Sequence, residues 1–291
     1  MGNMDSFSKI IAGTMTWGRW GRQLSKIEKI ELMNHCIGEG ITTFDHADIY
    51  GGYTNEADFG EALADSRIAR ENIQLISKCG IQYVCEARDN TIKHYDYSKD
   101  YIVWSAEQSL RNLQTDYLDL FLLHRPSPLM HPEDIAEAIS RLKKAGKIKA
   151  FGVSNFAPSQ IAMLETMIAV EGNQVEFSLT ADKVMYDGTF DDVIANKRMA
   201  MAWSPLGGYF KEETENIKRI KEVMTNMTER YSATEGQLLL AWILMHPAQV
   251  YPVVGTTNKN RLSAAVGAMK IALQLEDWFT LLEANQGHKV P

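Results

Sequence analysis

The chain has 291 residues and a mass of 32.8 kDa, and hydrophobic residues make up 45% of it, which is ample for one continuous core. Its formal net charge of −7 and pI of about 5.6 argue against a nucleic-acid-binding protein, which needs clustered Lys and Arg. The longest apolar run, residues 238–245, is far shorter than the roughly 20 residues that span a bilayer, so no membrane contact is expected.

The cysteines point to a reducing compartment. Cys36, Cys79 and Cys85 are an odd number and have no metal-ligand spacing, and Cys79 and Cys85 do not match a CxxC pattern. We therefore expect free thiols in a cytoplasmic protein.

Short apolar runs predict eight strands, several of which end in polar or catalytic residue types. The second of them begins the stretch 42–51, which runs from a β-branched strand into a polar turn. The other predicted strands are residues 9–12, 73–78, 118–123, 150–153, 173–177, 199–203 and 250–254.

Helical patterns lie between most of these strands. Ser25 with Glu28, and Thr234 with Gln237, have the spacing of a capping box at a helix start. The first predicted helix begins after Ser25 and ends near Gly38 or Gly40. Further helices are predicted to begin at Pro158 and within residues 255–261, and to cover residues 57–64, 102–113, 132–145, 216–231, 234–246 and 275–285. Residues 80–99 are polar and aromatic, and we expect them to form a loop over a cleft.

Strands that alternate with helices, without a linker between them, predict a single α/β domain over residues 1–291, folded as a (β/α)8 TIM barrel. A doubly wound sheet is the alternative fold. It would be expected to carry a GxGxxG turn early in the chain, and the sequence has none.

Four polar residues stand at consecutive strand ends, where barrel enzymes place their catalytic groups. Asp45 and Tyr50 follow the second strand, Lys78 ends the third, and His124 follows the fourth. A buried lysine needs a partner, which Asp45 supplies, and its ammonium is expected to lower the pKa of Tyr50. Tyr50 is then a plausible proton donor, and His124 can hold a substrate oxygen.

Each of these four residues, taken alone, could have a purely structural role. A tyrosine can be a packed aromatic residue, a Lys–Asp pair can be structural, and a histidine can belong to the core. A purely structural explanation would have to apply separately to all four residues at one rim. A single catalytic site explains all four at once, so we favour the catalytic interpretation. A metal-dependent hydrolase built from Asp45, His46, Asp48 and His124 is a further alternative, although an HxH pair is missing.

Seven segments in the same order resemble the aldo-keto reductase family along essentially the whole chain, and most closely its bacterial NADP-dependent oxidoreductases. They are GTMTW at 13–17, FDHADIYG at 44–51, ISK at 76–78, LLHRP at 122–126, GVSNF at 152–156, NQVE at 173–176 and WSPLG at 203–207.

The resemblance implies NADPH-dependent reduction of a small carbonyl substrate by a tetrad of Asp45, Tyr50, Lys78 and His124. Tyr50 is then the general acid, tuned by Lys78 and Asp45, and His124 orients the carbonyl. A cofactor-binding regulatory or redox-sensing protein with weak turnover, like the potassium-channel β subunits of this superfamily, is the alternative. We expect a monomer or a small homo-oligomer.

The resemblance also assigns a cofactor site. Ser154, Asn155 and Gln174 would bind the nicotinamide carboxamide, and Trp203 would stack on the ring. The cofactor phosphates would lie against two places in the chain. One is the backbone of three residues that follow strand seven, and the other is the start of the last barrel helix, where backbone N–H groups favour anions. These phosphate-side residues are Ser204, Leu206, Gly207, Gly255, Thr256, Thr257, Lys259 and Arg261.

The cations Lys259 and Arg261 suit a 2′-phosphate, so NADPH is expected over NADH; a solvated helix start would also account for this pair. Two departures from the family pattern stand out. Ala264 and Ala265 replace an acid–amide pair that holds the adenine in many relatives, so the resemblance assigns no adenine contacts to this part of the chain.

The second departure is Arg125, which replaces a tryptophan that follows the tetrad histidine in many relatives. We expect Trp17 and Arg125 to contact the substrate. A cation at the rim could select an acidic or strongly polar substrate, or it could pair with a carboxylate of the protein.

Overall fold

The computed structural model describes residues 6–290 and contains a closed barrel of eight parallel strands. Numbered in chain order with a separate hairpin, the strands are β1 (Ile11–Gly13), β2 (Thr43–Asp45), β3 (Gln74–Cys79), β4 (Ile81–Gln82), β5 (His94–Tyr95), β6 (Leu118–Leu123), β7 (Ile148–Ser154), β8 (Gly172–Glu176), β9 (Met199–Trp203) and β10 (Tyr251–Val254).

The barrel closes in the order β1-β10-β9-β8-β7-β6-β3-β2, and β4 pairs with β5 in an antiparallel hairpin outside it. Asp45 is in register with Gly13, and Lys78 with Leu122. Because all eight strands run in parallel, their carboxyl ends meet at one rim. The predicted (β/α)8 barrel is confirmed.

Helices surround the barrel and connect its strands. They are α1 (Lys26–Gly38), α2 (Tyr50–Tyr53), α3 (Asn55–Asp65), α4 (Lys99–Leu113), α5 (Pro132–Lys144), α6 (Pro158–Glu165), α7 (Thr189–Asn196), α8 (Glu215–Tyr231), α9 (Glu235–Leu244), α10 (Lys259–Gly267) and α11 (Leu275–Gln286). Both predicted capping boxes are present at the starts of α1 and α9. Within residues 6–290, no helix is long and apolar enough to cross a membrane.

The sequence patterns did not predict α7. It is only eight residues long and buries three side chains, Thr189, Phe190 and Val193. Gly188 precedes it with φ of 86°, a backbone conformation that favours glycine. A helix this short shows too little periodicity to be recognised before the barrel around it is known.

Two layers of apolar side chains position the site. One fills the barrel interior and includes Ile76, Leu120 and Leu122, and another packs between the strands and the helices and includes Leu75 and Cys79. Side chains alternate along a strand, so Lys78 follows Ile76 into the interior. The apolar layer below leaves the carboxyl-end rim as the place for polar groups.

Candidate active site

The four predicted catalytic residues meet at this rim. Asp45 is the last residue of β2, Lys78 lies near the end of β3, and His124 directly follows β6. Tyr50 begins α2, a short turn in which Gly51 and Gly52 have φ of 62° and 73°. Those left-handed glycines turn the chain back immediately after the tyrosine.

The Lys78 ammonium is the centre of the cluster. Its Nζ donates to Asp45 Oδ2 at 2.7 Å and to the carbonyl of His46 at 2.8 Å. A third contact, at 3.2 Å, joins Nζ to Tyr50 Oη. The Lys78 side chain is 0% exposed and that of Asp45 is 3% exposed, so the ion pair lies out of contact with solvent.

Charge and burial act on Lys78 in opposite directions. Burial lowers the pKa of its ammonium, and the negative charge of Asp45 together with Tyr50 raises it by more. The net shift is upward, so Lys78 is a permanent cation beside Tyr50.

Burial is the largest influence on the Tyr50 pKa, and although Lys78 lowers that pKa as predicted, the net shift is upward. Burial raises the pKa of the phenol, and the nearby Lys78 ammonium reverses only part of that rise. The sequence shows that a cation follows on the next strand, but it does not show how completely the pocket excludes water. Tyr50 is therefore protonated at neutral pH and can donate its proton.

His124 faces Tyr50, with ring centroids 6.0 Å apart and planes at 78°. Its backbone N–H donates to the Cys79 carbonyl at 2.9 Å, which fixes the residue against β3. Burial lowers the pKa of His124, and the positive charges of Lys78, Arg125 and Lys93 lower it further. The imidazole is therefore neutral, and its buried Nδ1 bonds to no other group among residues 6–290.

Gln174 joins the predicted cofactor residues to this cluster. From β8, on the opposite side of the barrel from β2, its Nε2 donates to Asp45 Oδ1 at 2.9 Å. Both carboxylate oxygens of Asp45 are thus hydrogen-bonded. Ser154 Oγ donates to the Gln174 carbonyl at 2.9 Å, and Asn155 Nδ2 donates to Ser154 Oγ at 2.8 Å.

Trp203 continues the same chain of contacts, since its Nε1 donates to Asn155 Oδ1 at 2.9 Å. Asn155 and Ser204 both have positive φ, at 62° and 50°. Strained non-glycine backbone of this kind is concentrated at functional sites. The four residues predicted to hold the nicotinamide therefore form one connected set beside Asp45, in which Ser154 and Gln174 are buried and Asn155 and Trp203 are half-buried.

The turn after β9 offers free donors for an anion. Gly207 donates its N–H to the Ser204 carbonyl at 2.8 Å, so this amide is occupied within the turn. The amides of Ser204 and Leu206 donate to no other group in the described part of the chain. A Cβ at Gly207, where φ is 52°, would lie 2.0 Å from Thr180 Oγ1, so the turn requires glycine. Two amides of this turn therefore remain free to donate to an anion.

The start of α10 is exposed and capped. Asn258 accepts a hydrogen bond from the Arg261 N–H at 3.1 Å, and Thr256 Oγ1 accepts one from the Asn258 N–H at 3.2 Å. Lys259 is not a free cation, because its Nζ pairs with Glu31 of α1 at 3.0 Å. Arg261 is exposed and forms no ion pair within residues 6–290. Of Lys259 and Arg261, only Arg261 is therefore free to bind an anion. Gly255 and Thr257 lie in the loop that precedes α10.

The structure buries Trp17 and places a second tryptophan, Trp20, near the rim. Trp17 is 2% exposed and packs against Phe44 and Phe59, with ring centroids 6.0 and 5.9 Å away, in the layer between barrel and helices. This burial argues against the predicted substrate contact. Trp20, which the sequence patterns did not single out, is 43% exposed and lies 6.2 Å from the Tyr50 ring. Only the fold shows which of the two reaches the rim.

Residues 80–99 contribute an aromatic wall to the cleft. The β4–β5 hairpin carries Tyr83, whose ring lies 5.8 Å from Trp20 and stacks on Tyr53 at 5.6 Å. Trp20 and Tyr83 thus stand together on the Tyr50 side of the rim.

His46 and Asp48 are buried supports of the site. His46 Nδ1 contacts Thr14 Oγ1 at 2.9 Å, and Asp48 accepts hydrogen bonds from Ser105 and Tyr101. Burial and the Lys78 charge lower the pKa of His46 to about 3. Burial and the charge of Glu56 raise the pKa of Asp48 to about 8. Among residues 6–290, no group of three His, Cys, Asp or Glu side chains could hold a metal ion.

Comparison with known proteins identifies the family. The model of the Aldo/keto reductase family matches residues 9–286. The chain is 43% identical to the uncharacterized oxidoreductase YcsN of Bacillus subtilis, with 98% of this chain and 96% of the relative covered. It is 37% identical to a 6-dehydroglucose reductase of Agrobacterium fabrum, over 88% of this chain and 86% of that protein.

A solved structure agrees with these matches. An aldo/keto reductase from Klebsiella pneumoniae in complex with NADP and acetate has a TM-score of 0.77 and 25% identity, and the match covers 98% of this chain and 93% of the other. The resemblance found in the motifs is confirmed. The chain belongs to the aldo/keto reductase family and is an NAD(P)H-dependent oxidoreductase.

Proposed function

We propose that this enzyme reduces an aldehyde or ketone to an alcohol with NADPH, and that Tyr50 donates the proton. The contact that carries the proposal is the 3.2 Å hydrogen bond between Lys78 Nζ and Tyr50 Oη. When bound, the nicotinamide cofactor supplies the hydride. As charge develops on the carbonyl oxygen, the Tyr50 hydroxyl transfers its proton there, and the ammonium of Lys78 stabilises the phenolate that remains.

The other tetrad residues act through position. Asp45 holds Lys78 in place, and Gln174 holds Asp45. Neutral His124 donates a hydrogen bond to the carbonyl oxygen and orients it towards Tyr50. In alcohol oxidation the same phenolate would act as the base.

NADPH is the preferred cofactor in this proposal, because Arg261 is a free cation at the start of α10 and suits a 2′-phosphate. The Ser204 and Leu206 amides would hold the pyrophosphate.

A cytoplasmic location is also part of the proposal, and it is supported by three free cysteines, of which Cys36 and Cys79 are buried.

The test is Tyr50→Phe, assayed by NADPH oxidation with aldehydes and ketones that include 6-dehydroglucose, for which the Agrobacterium relative is named. Loss of the proton donor is expected to lower kcat by about 10²–10⁴-fold, while NADPH affinity measured by fluorescence titration stays the same. Tyr53→Phe is the matched control, since its hydroxyl binds the Ile81 carbonyl away from Lys78.

Two results would contradict the proposal. An equal loss of NADPH affinity in Tyr50→Phe would show that Tyr50 supports the cofactor rather than the chemistry. Turnover by the wild type that does not exceed that of Tyr50→Phe would instead favour a cofactor-binding regulatory protein.

A further inference from the structure

Arg125 is a half-buried cation at the mouth of the active site, and it has no acidic partner in the described part of the chain. It directly follows His124 at the end of β6. No Asp or Glu among residues 6–290 forms an ion pair with its guanidinium, whose central carbon lies 5.3 Å from the centroid of the Trp203 ring. The alternative that Arg125 pairs with a carboxylate of the protein therefore has no support in the described chain.

The backbone of Arg125 is held from both sides by one buried hydroxyl. Tyr97 Oη accepts a hydrogen bond from the Arg125 N–H at 3.1 Å and donates one to the Arg125 carbonyl. Tyr97 is 5% exposed and follows the β4–β5 hairpin. A cation whose main chain is fixed and whose side chain rests on an indole presents its charge at a defined place.

The charge of Arg125 reaches the reacting groups. It lowers the pKa of both Tyr50 and His124, although burial is the larger influence on each. Lys93, an exposed residue between β4 and β5, acts on His124 in the same direction. Arg125 thus places a positive charge at the mouth of the cleft in a chain with a net charge of −7, and the exposed Lys93 adds a weaker positive potential at His124.

The cofactor phosphates do not account for these cations. The residues assigned to the phosphates follow β9 and β10, whereas Arg125 follows β6 and Lys93 lies on the hairpin beside the Tyr50 rim. The planar fork of guanidinium N–H donors matches a carboxylate in geometry as well as in charge.

We propose that Arg125 forms a subsite for a carboxylate on the substrate, so that this site prefers aldehydes or ketones that carry an acidic group. The proposal deepens the function proposed above and rests on carbonyl reduction at Tyr50. Trp20 and Tyr83, on the hairpin side of the cleft, would then line the apolar part of the same substrate.

The test compares 4-carboxybenzaldehyde with its neutral isostere 4-formylbenzamide. Arg125→Gln is expected to lower kcat/KM for the carboxylate at least tenfold more than for the amide, as for the loss of a hydrogen bond between charged groups. For each aldehyde, the kcat/KM of the variant is divided by that of the wild type, so the different intrinsic reactivities of the two aldehydes cancel. Arg125→Lys should restore part of the preference, and Lys93→Gln should give a smaller loss that fades at high salt.

Three outcomes would overturn the subsite while carbonyl reduction stands. They are an equal effect of Arg125→Gln on both aldehydes, no effect on either, and a loss of NADPH affinity in fluorescence titration, which would assign Arg125 to the cofactor. If the wild type reduced neither these aldehydes nor any other tested carbonyl compound, the proposed function itself would fail, and the subsite with it.

Discussion

Two lysine–carboxylate pairs lie at opposite ends of the proposed cofactor site, and they have nearly the same geometry. Lys78 and Asp45 are 2.7 Å apart with side chains 0% and 3% exposed, whereas Lys259 and Glu31 are 3.0 Å apart with side chains 47% and 59% exposed. The difference lies in the surroundings. Distance alone does not measure what an ion pair contributes; burial sets the cost of separating it.

Removing one partner of the buried pair should have the largest effect. Lys78→Met leaves the Asp45 carboxylate without its cation in a site closed to water, and we expect a loss of about 3–5 kcal/mol in the free energy of unfolding. Reductase activity should also fall to the level of Tyr50→Phe, because nothing then stabilises the phenolate. Urea denaturation and NADPH oxidation measure the two losses.

The double variant Lys78→Met/Asp45→Asn is the control. Removing both charges should recover most of the stability and none of the activity. If the double variant were as unstable as the single one, the unpaired carboxylate would not be the cause.

The second largest effect is expected at the exposed end of the proposed cofactor site, in the affinity for NADPH. Arg261→Ala should weaken NADPH binding about tenfold or more, as for the loss of a charge-assisted contact, and leave NADH within about twofold. Fluorescence titration with both cofactors measures the ratio. Equal weakening of the two would mean that Arg261 does not read the 2′-phosphate.

The exposed pair should have the smallest effect. Glu31→Gln is expected to change the free energy of unfolding by less than about 1 kcal/mol, because solvent already screens both charges. A loss in urea denaturation as large as that of Lys78→Met would break the contrast between the two pairs.

The barrel and the position of the tetrad could be predicted from the sequence because both follow from local patterns. Strand ends in a parallel barrel share one rim, so the placement of Asp45, Lys78 and His124 requires only the strand boundaries. Helix starts such as Ser25 and Thr234 were also predictable, since a capping box involves residues only three positions apart.

What could not be predicted depends on contacts between distant parts of the chain. Glu31 pairs with Lys259, 228 positions later. The pKa of Tyr50 depends on how fully the neighbouring strands bury it. Trp17 is buried because it packs against Phe44 and Phe59, and this packing is what distinguishes it from the exposed Trp20. Such contacts have no signature in a single sequence.

The two neutral, buried side chains behind the tetrad, His46 and Asp48, couple proton binding to folding in opposite directions. Between pH about 3 and 6.5, His46 is protonated in the unfolded chain but neutral in the native state. The free energy of unfolding therefore rises with pH in this range. Between pH 3.8 and about 8 the native state retains an Asp48 proton that the unfolded chain releases, so stability falls as pH rises.

Each group contributes a slope of at most about 1.4 kcal/mol per pH unit. Where the two windows overlap, between pH 3.8 and 6.5, their contributions cancel, and above 6.5 only the Asp48 contribution remains. We therefore expect this pair to produce a plateau of stability on the acidic side of neutrality and a decline from pH 6.5 to about 8. Denaturation of Asp48→Asn across this range should show the decline removed.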